Sequence, residues 1–272
     1  MRTALITLAS GRHDHLRVQR EGLRRGSVSP DLHLVVAMAD PHLRMVVADG
    51  PPPVSVVDQP GCADRLPLSA ARNRGASTAI RHGAELLIFL DVDCIPGPRL
   101  VERYHEAAIA APDQLLSGPV AYLEPPPAGG YDLTRIASIR TGHPARPVPA
   151  EQMTSPADHR LFWSLSFAIT VSTWLRIGGF SELYDGYGAE DTDFGQLAKL
   201  HGVGHTSVGG AWAYHQFHPI SDPPIEHVAD IVRNSRLFHQ RWGWFPMDGW
   251  LRELHTRGLI DYDAAAGTIS VG

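Results

Sequence analysis

Asp91 and Asp93 stand two positions apart directly after the apolar run Leu86-Leu87-Ile88-Phe89-Leu90, with Pro96 just beyond. A run of that length and composition reads as a buried strand, so the paired acids leave from its carboxyl end. Carboxylates there need a cationic partner. A divalent metal is the usual one, and a metal held by two carboxylates keeps positions open for phosphate oxygens. If strand geometry persists through the triplet, both side chains point to one face. The plain alternative is an Asp turn that caps the loop before Pro96.

A second constellation runs Gly186-Tyr187-Gly188-Ala189-Glu190-Asp191-Thr192-Asp193. Acids in the first turn of a helix are favoured by its dipole, so capping is the bland explanation. Three carboxylates in four positions exceed what capping needs, and a carboxylate beside a bound hydroxyl can act as a general base. Tyr187, flanked by glycines, is free to stack on a sugar face. His215 and His218 follow a short strand over 211–214. A neutral imidazole can complete a metal site already held by carboxylates, and the spacing leaves open which of the two does so.

The remaining candidates lie near strand ends. Arg72 and Asn73 could reach a phosphate or a base, whereas Arg74 reads as solvated. Arg12 follows Gly11 at the end of the first strand and could face a nucleotide. Asp40 ends the second, where a carboxylate can accept from a ribose or base. Either could instead be a turn residue.

These groups need strands and helices to hold them. Apolar runs predict strands over 4–9, 32–39, 54–57, 86–90, 115–120 and 163–171. Helical spacing predicts helices over 13–25, 68–82, 100–111, 189–201, 225–242 and 250–255, with a loop from Asp64 to Leu68 before the second. The alternation argues for an α/β layer with a largely parallel sheet, whose ligands bind beyond the carboxyl ends of the strands. From 125 to 156 the chain is rich in Pro, Gly, Thr and Arg, which reads as a long irregular segment, either a mobile loop over a site or a domain boundary. The aromatic cluster Trp242-Gly243-Trp244-Phe245, with Trp163 and Trp174, reads as packing.

Composition narrows the class. The chain has 272 residues, 43% hydrophobic and 19% charged, with net charge −5, so it is globular and has no basic surface for nucleic acid. Its two cysteines, Cys62 and Cys94, form no metal or disulfide pattern, which fits a reducing compartment. The N-terminal apolar stretch is too brief for a signal peptide, and no run approaches the roughly 20 residues that span a bilayer. A cytoplasmic location, with peripheral membrane contact left open, is expected.

The order of these pieces resembles the family 2 glycosyltransferases of the GT-A fold. The matching segments are Leu5-Ile-Thr-Leu-Ala-Ser-Gly-Arg12, Leu68-Ser-Ala-Ala-Arg72-Asn73-Arg-Gly75 and Phe89-Leu-Asp91-Val-Asp93-Cys-Ile-Pro96. The stretch from Gly178-Gly179-Phe180 to Glu190-Asp191-Thr-Asp193-Phe194 resembles an acceptor-side motif shared with the β-1,4-galactosyltransferases. The linked set is more specific than any member. It implies one GT-A domain over 1–272: a Rossmann-like nucleotide-sugar half with a mixed, mostly parallel sheet (1–122), an irregular loop (123–160) and an acceptor and catalytic half (161–272).

The resemblance further implies inverting transfer from a nucleotide diphosphate sugar, by preference a UDP-sugar, to a small-molecule, glycan or lipid-linked hydroxyl acceptor, with Mn²⁺ or Mg²⁺. Asp93 then matches the metal-binding acid and Asp91 the acid nearer ribose and metal. Asp191 matches the base, Glu190 orients hydroxyls, and His215 or His218 completes the metal site. Three departures stand out: Tyr187 where the galactosyltransferases have Trp, Ala189 where they have Gly, and His-x-x-His at 215–218 where they commonly have His-x-His, with His215, straight off the strand, slightly favoured. The competing readings are a nucleotidyltransferase or phosphohydrolase on a related sheet, which leaves the 190–193 acids without a role, and a sugar-nucleotide-binding module without chemistry, against which the intact acids argue.

Overall fold

The computed structural model describes residues 1–47, 52–62, 65–146, 151–219 and 221–272. Asp64 of the expected loop and residues 147–150 of the irregular segment lie outside the described residues. In chain order the elements begin β1 (Thr3–Ala9), α1 (His13–Arg24), β2 (Leu32–Met38), α2 (Leu43–Val46), β3 (Val54–Gln59), α3 (Leu68–Arg81), β4 (Leu86–Leu90), β5 (Cys94–Pro96) and α4 (Leu100–Ala110). They continue β6 (Gln114–Ser117), β7 (Val120–Tyr122), β8 (Met153–Thr154), β9 (Ser166–Thr170), α5 (Val171–Ile177), α6 (Glu190–Leu200), β10 (Gly204–Val208), β11 (Ala213–His215), α7 (Val228–Trp242), α8 (Asp248–Thr256), β12 (Ile260–Asp263) and β13 (Thr268–Val271).

An eight-stranded sheet runs in the order β3-β2-β1-β4-β9-β6-β10-β8. The first four strands are mutually parallel, which brings the carboxyl ends of β1, β2 and β4 to one rim. β1 and β4 are buried on both faces because helices cover both sides. α3 lies against β1 and β2 through Ala71, Gly75, Ala76 and Ala79. A Cβ on Gly75 would stand 2.5 Å from Ile6 Cγ2, so only glycine permits that approach. β9 is antiparallel to both β4 and β6 and joins the two parts of the sheet.

The fold is the expected mixed, mostly parallel α/β sheet, with local differences. The strand expected over 115–120 is broken at Gly118-Pro119, where the Gly118 N–H donates to Tyr104 Oη at 2.7 Å. Its first part enters the large sheet. Its second part, β7, joins β5 and β11 in a three-stranded sheet. Residues 94–96, which follow the apolar run and could read as its exit loop, form strand β5 of this small sheet. Residues 225–227 form a 3₁₀ turn before α7, and the chain closes with the β12–β13 hairpin after α8.

The long irregular segment is fastened where it is described. Tyr131, Leu133 and Ile136 pack on Ile95, Ala121, Trp212 and Tyr214 of the small sheet. Arg140 lies 6.0 Å over the Trp212 ring and donates to Glu151. Trp174 stacks on Phe89 in the main core, as its apolar setting predicts.

Candidate active site

The site forms where β1, β2 and β4 end and where α6 begins. β4 stops at Leu90, so Asp91 to Asp93 form a turn, and the two carboxylates face different partners rather than one shared face. The turn is pinned through its backbone. Asp91 N–H donates to Leu165 O, Cys94 N–H to Asp91 O, and Gln216 N–H to Asp93 O. Gln19, fully buried on α1, donates from one amide nitrogen to Asp91 O at 2.7 Å and Cys94 O at 3.1 Å, and accepts from Thr7. Sequence reasoning missed Gln19. Its signal was a polar residue on the apolar stripe of α1.

Asp93 gathers the cationic and imidazole groups. His215 Nε2 is 3.6 Å from Asp93 Oδ1 and His218 Nε2 is 3.5 Å from Oδ2. One ligand atom from each of Asp93, His215 and His218 lies within 4.8 Å of the other two. Both histidines stand beside Asp93, so the geometry admits either or both as ligands. Arg12, in left-handed backbone at φ 49°, extends to within 3.5 Å of Asp93 and of His218 Nδ1. Asp93 Oδ1 is enclosed and lacks a hydrogen-bond partner. A buried acceptor left open between two imidazoles fits a divalent cation, because one hard oxygen and two nitrogens suit such an ion. Burial opposes the charge on Asp93, but His218, His215 and Arg12 hold its carboxyl below the usual range.

Asp91 stands apart from that cluster. It faces Arg72 Nη2 at 3.7 Å, and the same buried guanidinium meets Glu190 Oε1 at 3.1 Å. Arg72 also lies 5.0 Å over the Phe180 ring. Two carboxylates share one cation here, with Asp191 beside them. Burial pushes Asp191 up to about 7, and the charge of Glu190 adds to the rise. Asp91 is raised by burial too, against the pull of Arg72.

Several expected site residues serve the scaffold. Asn73 donates to Phe180 O at 2.9 Å and Glu182 at 2.8 Å and accepts from Phe180 N–H at 2.8 Å. With both amide donors engaged, it clamps the Gly178-Gly179-Phe180 turn and has none left for a nucleotide. A Cβ on Gly179 would lie 2.7 Å from Asn73 Oδ1. Asp193 accepts from Tyr184, Trp242 and Arg241 in full burial, so only Glu190 and Asp191 of the acid triplet face the site. Asp40 accepts from Gly11 N–H at 2.9 Å and pairs with His13 at 2.7 Å, which holds the Arg12 turn. Tyr187 is less free than its glycine neighbours suggest. Its ring stacks on His227 at 4.7 Å, with Trp250 at 6.2 Å.

A family described as the N-terminal domain of galactosyltransferase matches residues 149–219, the stretch that carries Glu190, Asp191, His215 and His218. Validoxylamine A glucosyltransferase of Streptomyces hygroscopicus subsp. jinggangensis is 28% identical over 177 residues, 53% of this chain and 38% of that protein. Chondroitin synthase of Escherichia coli is 25% identical over 203 residues, 65% of this chain and 29% of that one. The chain thus spans well under half the length of these curated relatives. Among solved structures, GalNAc-T7 with UDP, GalNAc and Mn²⁺ aligns at TM-score 0.60 and 12% identity, over 88% of this chain and 50% of that one. S. aureus TarS 1–349 aligns at 0.57 and 13%, over 88% and 65%. The fold is GT-A, and over the stretches matched the chain is similar to galactosyltransferase-type and other glycosyltransferases.

Proposed function

We propose that the protein is a metal-dependent, inverting glycosyltransferase that moves a sugar from a nucleotide diphosphate sugar, by preference a UDP-sugar, to a hydroxyl acceptor. The observation that carries this reading is the enclosed, unpartnered Asp93 Oδ1 facing two imidazoles in the same site as a carboxylate whose pKa is raised toward neutrality. Asp93, His215 and His218 would hold the cation. Bound there, Mn²⁺ or Mg²⁺ would neutralise the diphosphate as a leaving group. Arg12 adds a fixed positive charge on the same side.

Asp191 serves as general base. It takes the acceptor hydroxyl proton as that oxygen attacks the anomeric carbon. The bond from that carbon to the diphosphate oxygen breaks, and its electron pair leaves with the diphosphate. A single displacement inverts the anomeric centre. Burial, and the charge of Glu190 that is itself tied to Arg72, keep the proton affinity of the base high.

The acceptor class is a small molecule, glycan or lipid-linked hydroxyl. No helix among the described residues is long and apolar enough to cross a membrane. The reading is tested by thermal melts with UDP, GDP and TDP, each with and without Mn²⁺. A ligand at a hundredfold excess over its Kd stabilises by roughly 2.7 kcal/mol. A Mn²⁺-dependent rise with one diphosphate is expected. No rise with any of them would overturn the reading.

A further inference from the structure

Arg146 ends the described part of the irregular segment and does not behave like a loop residue. A turn aims it inward: Arg146 N–H donates to His143 O at 2.9 Å, and Ala145 N–H donates to His143 Nδ1 at 3.2 Å. His143 sets its ring edge against Trp163 at 4.7 Å, and the Arg146 guanidinium lies 5.2 Å over the same indole. Its Nη2 is enclosed and has no hydrogen-bond partner among the described residues. No carboxylate of those residues pairs with it, whereas Arg12 and Arg72 in this site both have acidic partners.

A guanidinium stays protonated at any physiological pH. Enclosing one without a counter-charge is costly, and one cation–π contact of about 0.5–2 kcal/mol offsets only part of that cost. The missing partner is therefore an anion that arrives from outside. Two neighbours indicate where. His143, whose turn aims Arg146 inward, sets its ring 6.3 Å from Tyr122, and the groups whose charge reaches the guanidinium are Tyr104, Tyr122 and Asp191. Tyr122 packs on His215 of the cation cluster, with ring centroids 5.1 Å apart. The arginine thus borders both the cation cluster and the base, the two parts of the site that the reacting bond must connect. An anionic acceptor fits poorly, because Glu190 and Asp191 already crowd the acceptor side.

We infer that Arg146 is a donor-binding residue whose unpaired Nη2 receives an anionic oxygen of the nucleotide sugar, on the β-phosphate or on an acidic sugar. This rests on the function proposed above. In bound enzyme the guanidinium gains its counter-ion, and Arg146 joins the described end of the irregular segment to the donor site.

Binding of UMP, UDP, UDP-glucose and UDP-glucuronate is measured by calorimetry with Mn²⁺ for the wild type, Arg146→Met and Arg146→Lys. Melting of each ligand-free protein is followed alongside. If the β-phosphate is the partner, Arg146→Met weakens UDP by about 10- to 100-fold, as for a lost hydrogen bond to a charged group, and leaves UMP unchanged. If the sugar carboxylate is the partner, only UDP-glucuronate weakens. Arg146→Lys, which keeps the charge and loses the fork, falls between. Ligand-free Arg146→Met melts no lower than wild type, because a buried unpaired charge has been removed. Unchanged affinities for all four nucleotides, or a lowered melt with unchanged affinities, would overturn the assignment to donor binding. A wild type that binds none of the four would instead overturn the transferase reading, and this inference with it.

Discussion

The two acids that matter most, Asp93 and Asp191, are the same residue type in similar burial, yet their surroundings push them in opposite directions. Around Asp93 two imidazoles and Arg12 outweigh desolvation, and its carboxyl stays charged. Around Asp191 burial and Glu190 outweigh Arg72, and its carboxyl takes up a proton near neutrality. A ligand to a cation must hold its charge, whereas a base must be able to give its charge up. The difference lies in what each element brings to the rim of the sheet. β11 and the Gly11-Arg12 turn bring cations and nitrogens, whereas α6 brings carboxylates.

The largest expected effect separates these roles. Asp191→Asn should lower kcat by about 10²- to 10⁴-fold, the usual worth of a general base, and leave Mn²⁺-dependent UDP binding intact. Asp93→Asn should remove that binding itself, read by calorimetry. If both variants lost nucleotide binding equally, the division would fail. Next is the pH profile of kcat. Because the Asp191 pKa is raised to about 7 and the base works deprotonated, the rate should fall as pH drops below that value and level off above it. Glu190→Gln removes one cause of the rise, so the inflection should move to lower pH.

His215→Ala and His218→Ala should each weaken Mn²⁺ affinity by more than the roughly 10- to 100-fold that follows loss of a group supporting a ligand. Equal losses mean that both imidazoles bind, and a loss in only one identifies the third ligand. The smallest effect is expected at Gln19, whose replacement by Leu strands two carbonyls of the Asp91–Cys94 turn. It should cost about 1–3 kcal/mol of stability, read by denaturant melts, with a smaller effect on UDP affinity.

Much of this was legible in the sequence because the signals are local. β1, β2 and β4 are continuous apolar runs, and the acids at their ends follow from counting along the chain. What escaped was decided by distant partners. Asp193 looks like its neighbours at 190 and 191 until Trp242 and Arg241 arrive from α7. Asn73 reads as a nucleotide contact until the Phe180 turn takes both its donors. The break at Gly118-Pro119 depends on Tyr104, a residue of another helix. Arg146 sits in a segment without periodicity, where no pattern indicates which side chains turn inward.

β9 carries a consequence for how the protein is made. It covers the free edge of β4, but it is synthesised only after α4, β6, β7 and the whole Pro- and Gly-rich segment. Until it emerges from the ribosome, a nascent chain carries an uncovered apolar strand, Leu-Leu-Ile-Phe-Leu, able to pair with any other. The acidic turn that follows this strand then has a second use, as a charged stop beside a sticky edge. Expression yield should therefore respond to the speed at which residues 91–170 are translated, and cutting the gene within the irregular segment should give two aggregating fragments rather than two domains.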